Sequence, residues 1–285
     1  MDAERIAAVQ HRLLDWYAAN ARDLPWRKTC DPYAILVSEI MLQQTQVDRV
    51  IPKWQAWLEQ FPTLADLARA SRADAIRTWQ GLGYNLRAVR LHALAVEVMA
   101  EHTGHLPRSL DGLLRLKGIG RYTAGAVACF AYRERVSVVD TNVRRVLSRV
   151  FAVPPGHVDV VAEAVLPATE DAYAWNQALM DLGATLCRAE RPLCLVCPLL
   201  AVCAAPGPGA LRKRATAERF EGSSRFFRGR VLDALRALPN GDAVSVNQLA
   251  ADVGCMEGKL VPLLKRMLRE GLVTRDDDGG LRLPS

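Results

Sequence analysis

No feature constrains this chain more than the stretch 112–147, which reads GLLRLKGIGRYTAGAVACFAYRERVSVVDTNVRRVL. A helical run, Leu113 to Leu116, is broken by Lys117-Gly118-Ile119-Gly120. Two glycines two apart permit a tight turn with positive backbone dihedrals. Arg121-Tyr122-Thr123 starts a second helix, apolar from Ala124 to Ala131. A Gly-rich turn feeding a helix N-terminus presents several backbone N–H groups to one point, and that point attracts phosphate. Val136-Ser137-Val138-Val139 then delivers Asp140 to the start of a third helix. Taken singly, these residues describe an ordinary helix hairpin followed by an Asp N-cap. Their order is more specific than any lone G-x-G.

The 285 residues can bury a sizeable core and suffice for two domains. Half of them are apolar, yet no apolar run reaches membrane-spanning length. The N-terminus, MDAERIAAVQHRLLDWYAAN, alternates charged and apolar residues as an amphipathic helix does, not as a signal peptide does. A cytoplasmic protein with no membrane partner is expected. The net charge of +6 is unevenly placed: residues 206–230 carry seven basic and two acidic side chains, or +5. A basic segment suits a nucleic-acid partner through phosphate neutralisation, and suits a solvated linker equally well.

Residues 2–20 read as a helix with Ile6, Val9, Leu13 and Tyr17 on one face. Pro25 forbids its continuation through Arg22-Asp23-Leu24-Pro25-Trp26-Arg27. Trp26 between arginines offers planes that stack on a base, although covering a core edge is the simpler role. Asp31-Pro32 is a helix start. The helix it opens carries Glu39 in an otherwise apolar turn, where a solvated carboxylate is the usual fate, with Gln43 one turn on. Short helices are expected over 51–80, with prolines at 52 and 62. A Gly-punctuated loop, Gly81-Leu82-Gly83-Tyr84, then precedes a helix over 86–100, and another helix is expected over 173–186. Cys187, Cys194, Cys197 and Cys203 follow the spacing C-x6-C-x2-C-x5-C. Four soft thiolate ligands on a short loop can enclose one metal centre, either an iron–sulfur cluster or a structural zinc. Cys30, Cys129 and Cys255 are isolated and read as packing residues.

LKGIGRYTAGAV followed downstream by VVDTNVRRV resembles the helix-hairpin-helix DNA glycosylases of the endonuclease III superfamily, over Leu13 to about Cys203. SEIMLQQTQV closely resembles the motif of their adenine-specific branch, the MutY type. The resemblance implies an all-α fold: a six-helix barrel domain over 31–140 and an iron–sulfur cluster domain from 1–30 and 141–205. It implies Glu39 as catalytic acid, Asp140 as the carboxylate in the base-excision pocket, and Tyr122 and Asn142 as groups that position them. Gln43, Gln44 and Thr45 would wedge into the duplex, with Tyr84 inserted beside the orphan base. Lys117, Gly118, Gly120, Arg121 and Thr123 would grip a DNA phosphate. Arg22, Leu24, Trp26, Arg27 and Gln177 would line the adenine pocket. The four cysteines would hold a [4Fe–4S] cluster that orders a loop bearing Arg188 and Arg191 against DNA. Two departures stand out: Asn85, where family members often carry a second aromatic, and Asp140-Thr141-Asn142 in place of DGN.

Position 122 separates subclasses. A Lys there attacks the sugar in endonuclease III-type enzymes, whereas this Tyr implies a monofunctional enzyme. The expected reaction is removal of adenine opposite 8-oxoguanine or guanine from mismatched double-stranded DNA by a monomer. A mismatch thymine or uracil glycosylase, and a non-enzymatic iron–sulfur DNA-binding regulator, are the alternatives. Beyond Cys203 come a basic linker over 206–224, with Arg212-Lys213-Arg214, and helices over 225–238, 246–253 and 257–270. A hairpin with a DG turn completes a small winged-helix-like domain over 225–285. Asp276, Asp277 and Asp278 at the wing tip would repel phosphate, so this domain is expected to be structural or partner-contacting. It is too short and too helical to be the Nudix-like domain common in the MutY type, and discrimination of the opposite base is expected to rest on Gln44, Thr45 and Tyr84.

Overall fold

Fourteen α-helices order the described part of the chain: α1 Ala3–Asn20, α2 Pro32–Leu42, α3 Val47–Gln60, α4 Leu64–Arg69, α5 Arg72–Thr78, α6 Leu86–Glu101, α7 Leu110–Leu114, α8 Arg121–Tyr132, α9 Thr141–Phe151, α10 Val158–Ala164, α11 Thr169–Thr185, α12 Ser224–Ala237, α13 Val246–Val253 and α14 Glu257–Arg269. Two short strands, β1 Thr274–Arg275 and β2 Leu281–Arg282, pair antiparallel. The structure is a computed structural model of the chain and describes residues 2–207, 219–239 and 242–285. The Arg212-Lys213-Arg214 run lies outside the described residues.

Helix starts follow local chemistry. Asp2, Thr63, Ser71, Ser109, Asp140, Ser223 and Ser245 each accept a backbone N–H of the first turn, satisfying one of the donors a helix start leaves orphaned. Asp31 does the same for α2, accepting from the Tyr33 and Ala34 amides at 3.1 and 3.2 Å. The short helices expected over 51–80 are α3, α4 and α5; α3 begins earlier, at Val47, and carries Pro52 inside its second turn. Trp54 and Trp57 are buried along the same helix, and tertiary burial of that face outweighs one lost backbone bond.

The chain divides into two compact units, residues 1–39 with 106–213, and residues 40–105 with 214–285. The first unit is built around α1, α9, α10 and α11, with Leu13, Val146, Leu147, Trp175 and Leu182 at its centre. In the second unit, the apolar core of the C-terminal helices is continuous with α5 and α6. Val231, Leu235, Leu249, Leu260, Leu264 and Met267 close over Ala73, Ile76 and Val89 of α5 and α6 in one continuous cluster. The β1–β2 ribbon gains a third position through a bridge from Val244 to Leu281. Its tip, residues 276–280, is closed by Asp276, which accepts the Gly280 amide at 2.6 Å. Among the described residues no helix is long and apolar enough to cross a membrane.

Candidate active site

Glu39 sits in α2 between Ser38 and Ile40, both buried, and only 5% of its surface reaches solvent. Burial pushes its carboxyl from an ordinary 4.5 up to about 7; the Tyr122 hydrogen bond and the Arg27 charge oppose this rise, and the Asp140 charge adds to it. Tyr122, in the first turn of α8, donates its hydroxyl to Glu39 Oε2 at 2.6 Å. Burial, and the negative charge of Glu39, hold the Tyr122 hydroxyl well above its usual range, so it stays a donor. Asp140 is the N-cap of α9 and accepts the Val143 amide at 2.6 Å through Oδ1. Asn142 Nδ2 donates to its other oxygen at 3.1 Å. The cap bond fixes Asp140 as an oriented carboxylate.

Several residues that the sequence reading passed over complete this arrangement. Arg145 Nη2 donates to Asn142 Oδ1 at 2.8 Å and to the Gly183 carbonyl at 2.8 Å, while its Nε reaches the Cys187 carbonyl at 2.7 Å. Gly183 has no room for a side chain, since an added Cβ would meet Asn142 Cβ at 2.7 Å. That close approach of α9 to α11 is what places Asn142. Asn176, buried on α11, accepts the Val138 amide and donates to the Val136 carbonyl, both at 2.9 Å, and so sets the segment leading into Asp140.

The Arg22–Arg27 loop is organised by a carboxylate that no motif announced. Asp181 is fully buried and accepts from Arg22 Nε at 2.6 Å, Arg27 Nη1 and Nη2 at 2.8 and 2.7 Å, and the Arg22 amide at 3.1 Å. Burial alone would raise the Asp181 carboxyl, but the hydrogen bonds and charges of Arg27 and Arg22 hold it below its ordinary value. Leu24 and Trp26 are both buried, at 6% exposure, as is Gln177 at 5%, one helical turn before Asp181 on α11. The only sequence signal was the i, i+4 spacing of Gln177 and Asp181 on an otherwise apolar face.

In the second unit, the two segments expected to enter the duplex share one anchor. Arg87, on α6 and 8% exposed, donates through Nη1 to the carbonyls of Ile40, Met41 and Gln43 at 2.8, 3.0 and 2.6 Å. Its Nη2 reaches the Leu82 and Gly83 carbonyls and Thr45 Oγ1, each at 3.2 Å. Gln44 and Tyr84 both hold left-handed backbone, with φ of 60° and 44°. Such strain in non-glycine residues persists where surroundings over-determine it, and it clusters at functional sites. Gln43, Gln44 and Tyr84 are exposed.

The hairpin between α7 and α8 turns on a single glycine in the left-handed region, Gly118 at φ +87°; Gly120 instead caps α8 in extended backbone, and both face open space. Lys117 and Arg121 are exposed beside them, while Thr123 is buried. The four cysteines line one cavity, walled by Leu186, Leu193, Leu199 and Pro206. Arg149 Nη1 donates to Cys187 Sγ at 3.4 Å, and the Gly207 amide donates to Cys194 Sγ at 3.2 Å. Soft donors converging in an apolar pocket, with N–H groups aimed at two of the sulfurs, fit a multi-thiolate metal centre. Arg188 and Arg191 are exposed on the loop. Of the other cysteines, Cys129 and Cys255 are buried as expected; Cys30 is exposed, because it lies in the turn just ahead of the α2 cap.

Comparison with known proteins bears on this geometry. Residues 37–166 match the HhH-GPD superfamily of base excision DNA repair proteins. An adenine DNA glycosylase of Mycobacterium tuberculosis (strain ATCC 25618 / H37Rv) is 43% identical over 95% of this chain and 92% of its own. The adenine DNA glycosylase of Homo sapiens is 42% identical over 72% of this chain and 40% of its own. Among solved structures, a thermostable thymine-DNA glycosylase superposes with a TM-score of 0.67 at 28% identity, covering 70% of this chain and 96% of that one. A non-covalent endonuclease III–DNA complex gives 0.63 at 22% identity, covering 72% and 96%, a likeness of fold alone. With a buried, neutral-range carboxylic acid, a capped carboxylate and a relative of this similarity along nearly its whole length, the chain belongs to the adenine DNA glycosylases of the HhH-GPD superfamily of base excision repair enzymes.

Proposed function

We propose that this enzyme hydrolyses the N-glycosidic bond of adenine mispaired with 8-oxoguanine or guanine in double-stranded DNA, without cutting the strand. The observation that carries the reading is Glu39: a buried carboxyl at about 7 whose Oε2 is occupied by Tyr122. Its proton therefore belongs on Oε1, the oxygen left to face a base. An adenine in duplex DNA must first leave the stack, at a cost of a few kcal/mol. Glu39 Oε1 then gives its proton to N7 of the flipped base. The C1′–N9 bond breaks and its electron pair leaves with adenine. Positive charge builds on the sugar, and the Asp140 carboxylate, held by the Val143 amide and Asn142, stabilises it. Water adds at C1′ and returns a proton to Glu39, so the acid is regenerated. Two carboxyl groups in different environments divide the labour as in glycoside hydrolysis.

The roles of the other residues follow the same reading. Arg22, Leu24, Trp26, Arg27 and Gln177 shape the base pocket around Asp181. The Gln43–Thr45 and Tyr84 loops, tied together by Arg87, enter the space the base leaves. The α7–α8 hairpin holds a phosphate, and Arg188 and Arg191 meet the backbone. Cys187, Cys194, Cys197 and Cys203 hold a [4Fe–4S] cluster, which supplies a covalent cross-link of the 187–203 loop. Iron and zinc analysis of the purified protein tests this: about four irons per chain is expected, and one zinc without iron would replace the cluster with a zinc site. Tyr122 offers no amine, so borohydride should trap little DNA adduct.

The test of function is single-turnover base release from duplexes with adenine, thymine or uracil in a mismatch. Adenine release is expected, and Glu39→Gln should slow it by about 10²- to 10⁴-fold with mismatch binding kept. Preferential release of thymine or uracil would move the enzyme to the activity that names its thymine-DNA glycosylase neighbour.

A further inference from the structure

The C-terminal helices carry side chains onto the Tyr84 loop. Arg225, in the first turn of α12, donates from Nη1 to the Tyr84 hydroxyl at 3.0 Å. Its guanidinium carbon stands 5.8 Å from the centroid of the Tyr84 ring and 5.1 Å from that of Phe220. Arg87 stands 5.5 Å from the same Tyr84 ring and 5.3 Å from that of Trp79. Trp79, Arg87, Tyr84, Arg225 and Phe220 thus form an alternating series of rings and guanidinium groups, a cation–π geometry at each step. It runs from fully buried Trp79 to Phe220, which is 52% exposed.

A second latch lies beside the first. Arg236, 8% exposed in its side chain, donates from Nη2 to Asn85 Oδ1 and to the Ile76 carbonyl, both at 2.8 Å. The Asn85 carboxamide oxygen thus gives α12 a side-chain acceptor on the residue that follows Tyr84. Tyr84 between these latches holds φ of 44°, a conformation that needs support from outside the loop.

We infer that Arg225 and Arg236 are positioning residues through which the C-terminal segment sets the Tyr84 loop, so that this segment takes part in discriminating the base opposite the adenine without contacting it. The inference rests on the reading of Tyr84 as the inserted side chain. It gives a specific role to a segment expected to be structural or partner-contacting. Deleting residues 223–285 would strip the cover from Ala73, Ile76 and Val89, so point substitutions in the full chain are the appropriate probes.

The experiment is a double-mutant cycle on Arg225→Met and Tyr84→Phe, the latter removing only the acceptor oxygen. Full-length proteins are titrated with duplexes carrying a stable abasic-site analogue opposite 8-oxoguanine or guanine, at several salt concentrations. Each single variant should compress the ratio of the two affinities by about three- to tenfold, the range for one lost hydrogen bond. The double variant should compress it no further, and the salt slope should not move. Arg236→Met and Asn85→Ala should pair in the same way. Multiplicative effects together with a shallower salt slope would mean that Arg225 meets a DNA phosphate directly, and would overturn the inference. Unchanged ratios in every variant, or a wild type without opposite-base preference, would overturn it too. If Arg225→Met lowers the melting temperature, Tyr84→Phe reads the same bond with the arginine in place. Failure of the adenine reading is separately visible, as a wild type that discriminates these duplexes yet releases no adenine.

Discussion

Removing the Tyr122 hydroxyl should move the pH at which this enzyme loses its acid. In the wild type that hydroxyl donates to Glu39 Oε2 at 2.6 Å and works against burial, favouring the carboxylate. A hydrogen bond to a charged group is worth about 1.5–3 kcal/mol, and one pH unit corresponds to about 1.4 kcal/mol. The protonated acid keeps part of the bond, so the net rise in Tyr122→Phe is about one pH unit. The alkaline limb of base release, centred at about 7 in the wild type, should then centre near about 8 in the variant. The sign is set by protonation: as the proposed acid, Glu39 would act in its neutral form, which is present below its pKa and lost as pH rises through it. Between pH 6 and pH 8 the wild type falls from mostly protonated to about one-tenth, while the variant still holds about half. Whatever constant factor the variant loses in positioning, the ratio of variant to wild-type rate should rise about fivefold across that interval. The assay is single-turnover adenine release across the pH range, with enzyme in excess of a mismatched duplex. A flat or falling ratio would refute the reasoning, because it would mean that Glu39 is not the titrating acid or that Tyr122 does not stabilise its ionised form.

Three further outcomes follow from the site. Glu39→Gln should stabilise the protein at alkaline pH: the wild-type carboxyl at about 7 rather than 4.5 makes ionisation destabilising by about 3 kcal/mol, so thermal midpoints should differ above pH 8 and converge below pH 4.5. Asp181→Asn leaves Arg22 and Arg27 without their buried counter-charge and should cost about 3–5 kcal/mol; circular-dichroism melts check the stability, and base release checks the pocket. Gly183→Ala puts a Cβ against Asn142, so it should cost about 1–3 kcal/mol in melts and slow base release on the order of tenfold or more through displacement of Asn142.

Much of the site was legible in the sequence, because it is carried by residues whose local roles are strong. Asp140 announces itself as an N-cap, and the glycines of KGIG announce a turn. Four cysteines at fixed spacing on one short loop can reach one centre whatever the rest of the chain does. The placement of Glu39 in an apolar turn could be read too, and its raised pKa follows from burial. What local chemistry could not supply were the side chains that act across long separations. Asp181 gathers Arg22 and Arg27 across more than 150 residues, Arg87 joins segments more than 40 residues upstream to its own loop, and Arg145 ties Asn142 to α11 and the cysteine loop. Arginine and aspartate have no periodicity of their own, so in one dimension each looks like a solvated charge. Gly183 is silent for a related reason, since its lack of a side chain matters only where α9 comes close. The C-terminal domain shows the same limit on a larger scale. Its three helices and hairpin could be read from local pattern, but that its apolar face closes over α5 and α6, and brings Arg225 onto Tyr84, was decided by tertiary packing, because an amphipathic helix specifies which face it must bury and not the surface that will cover it.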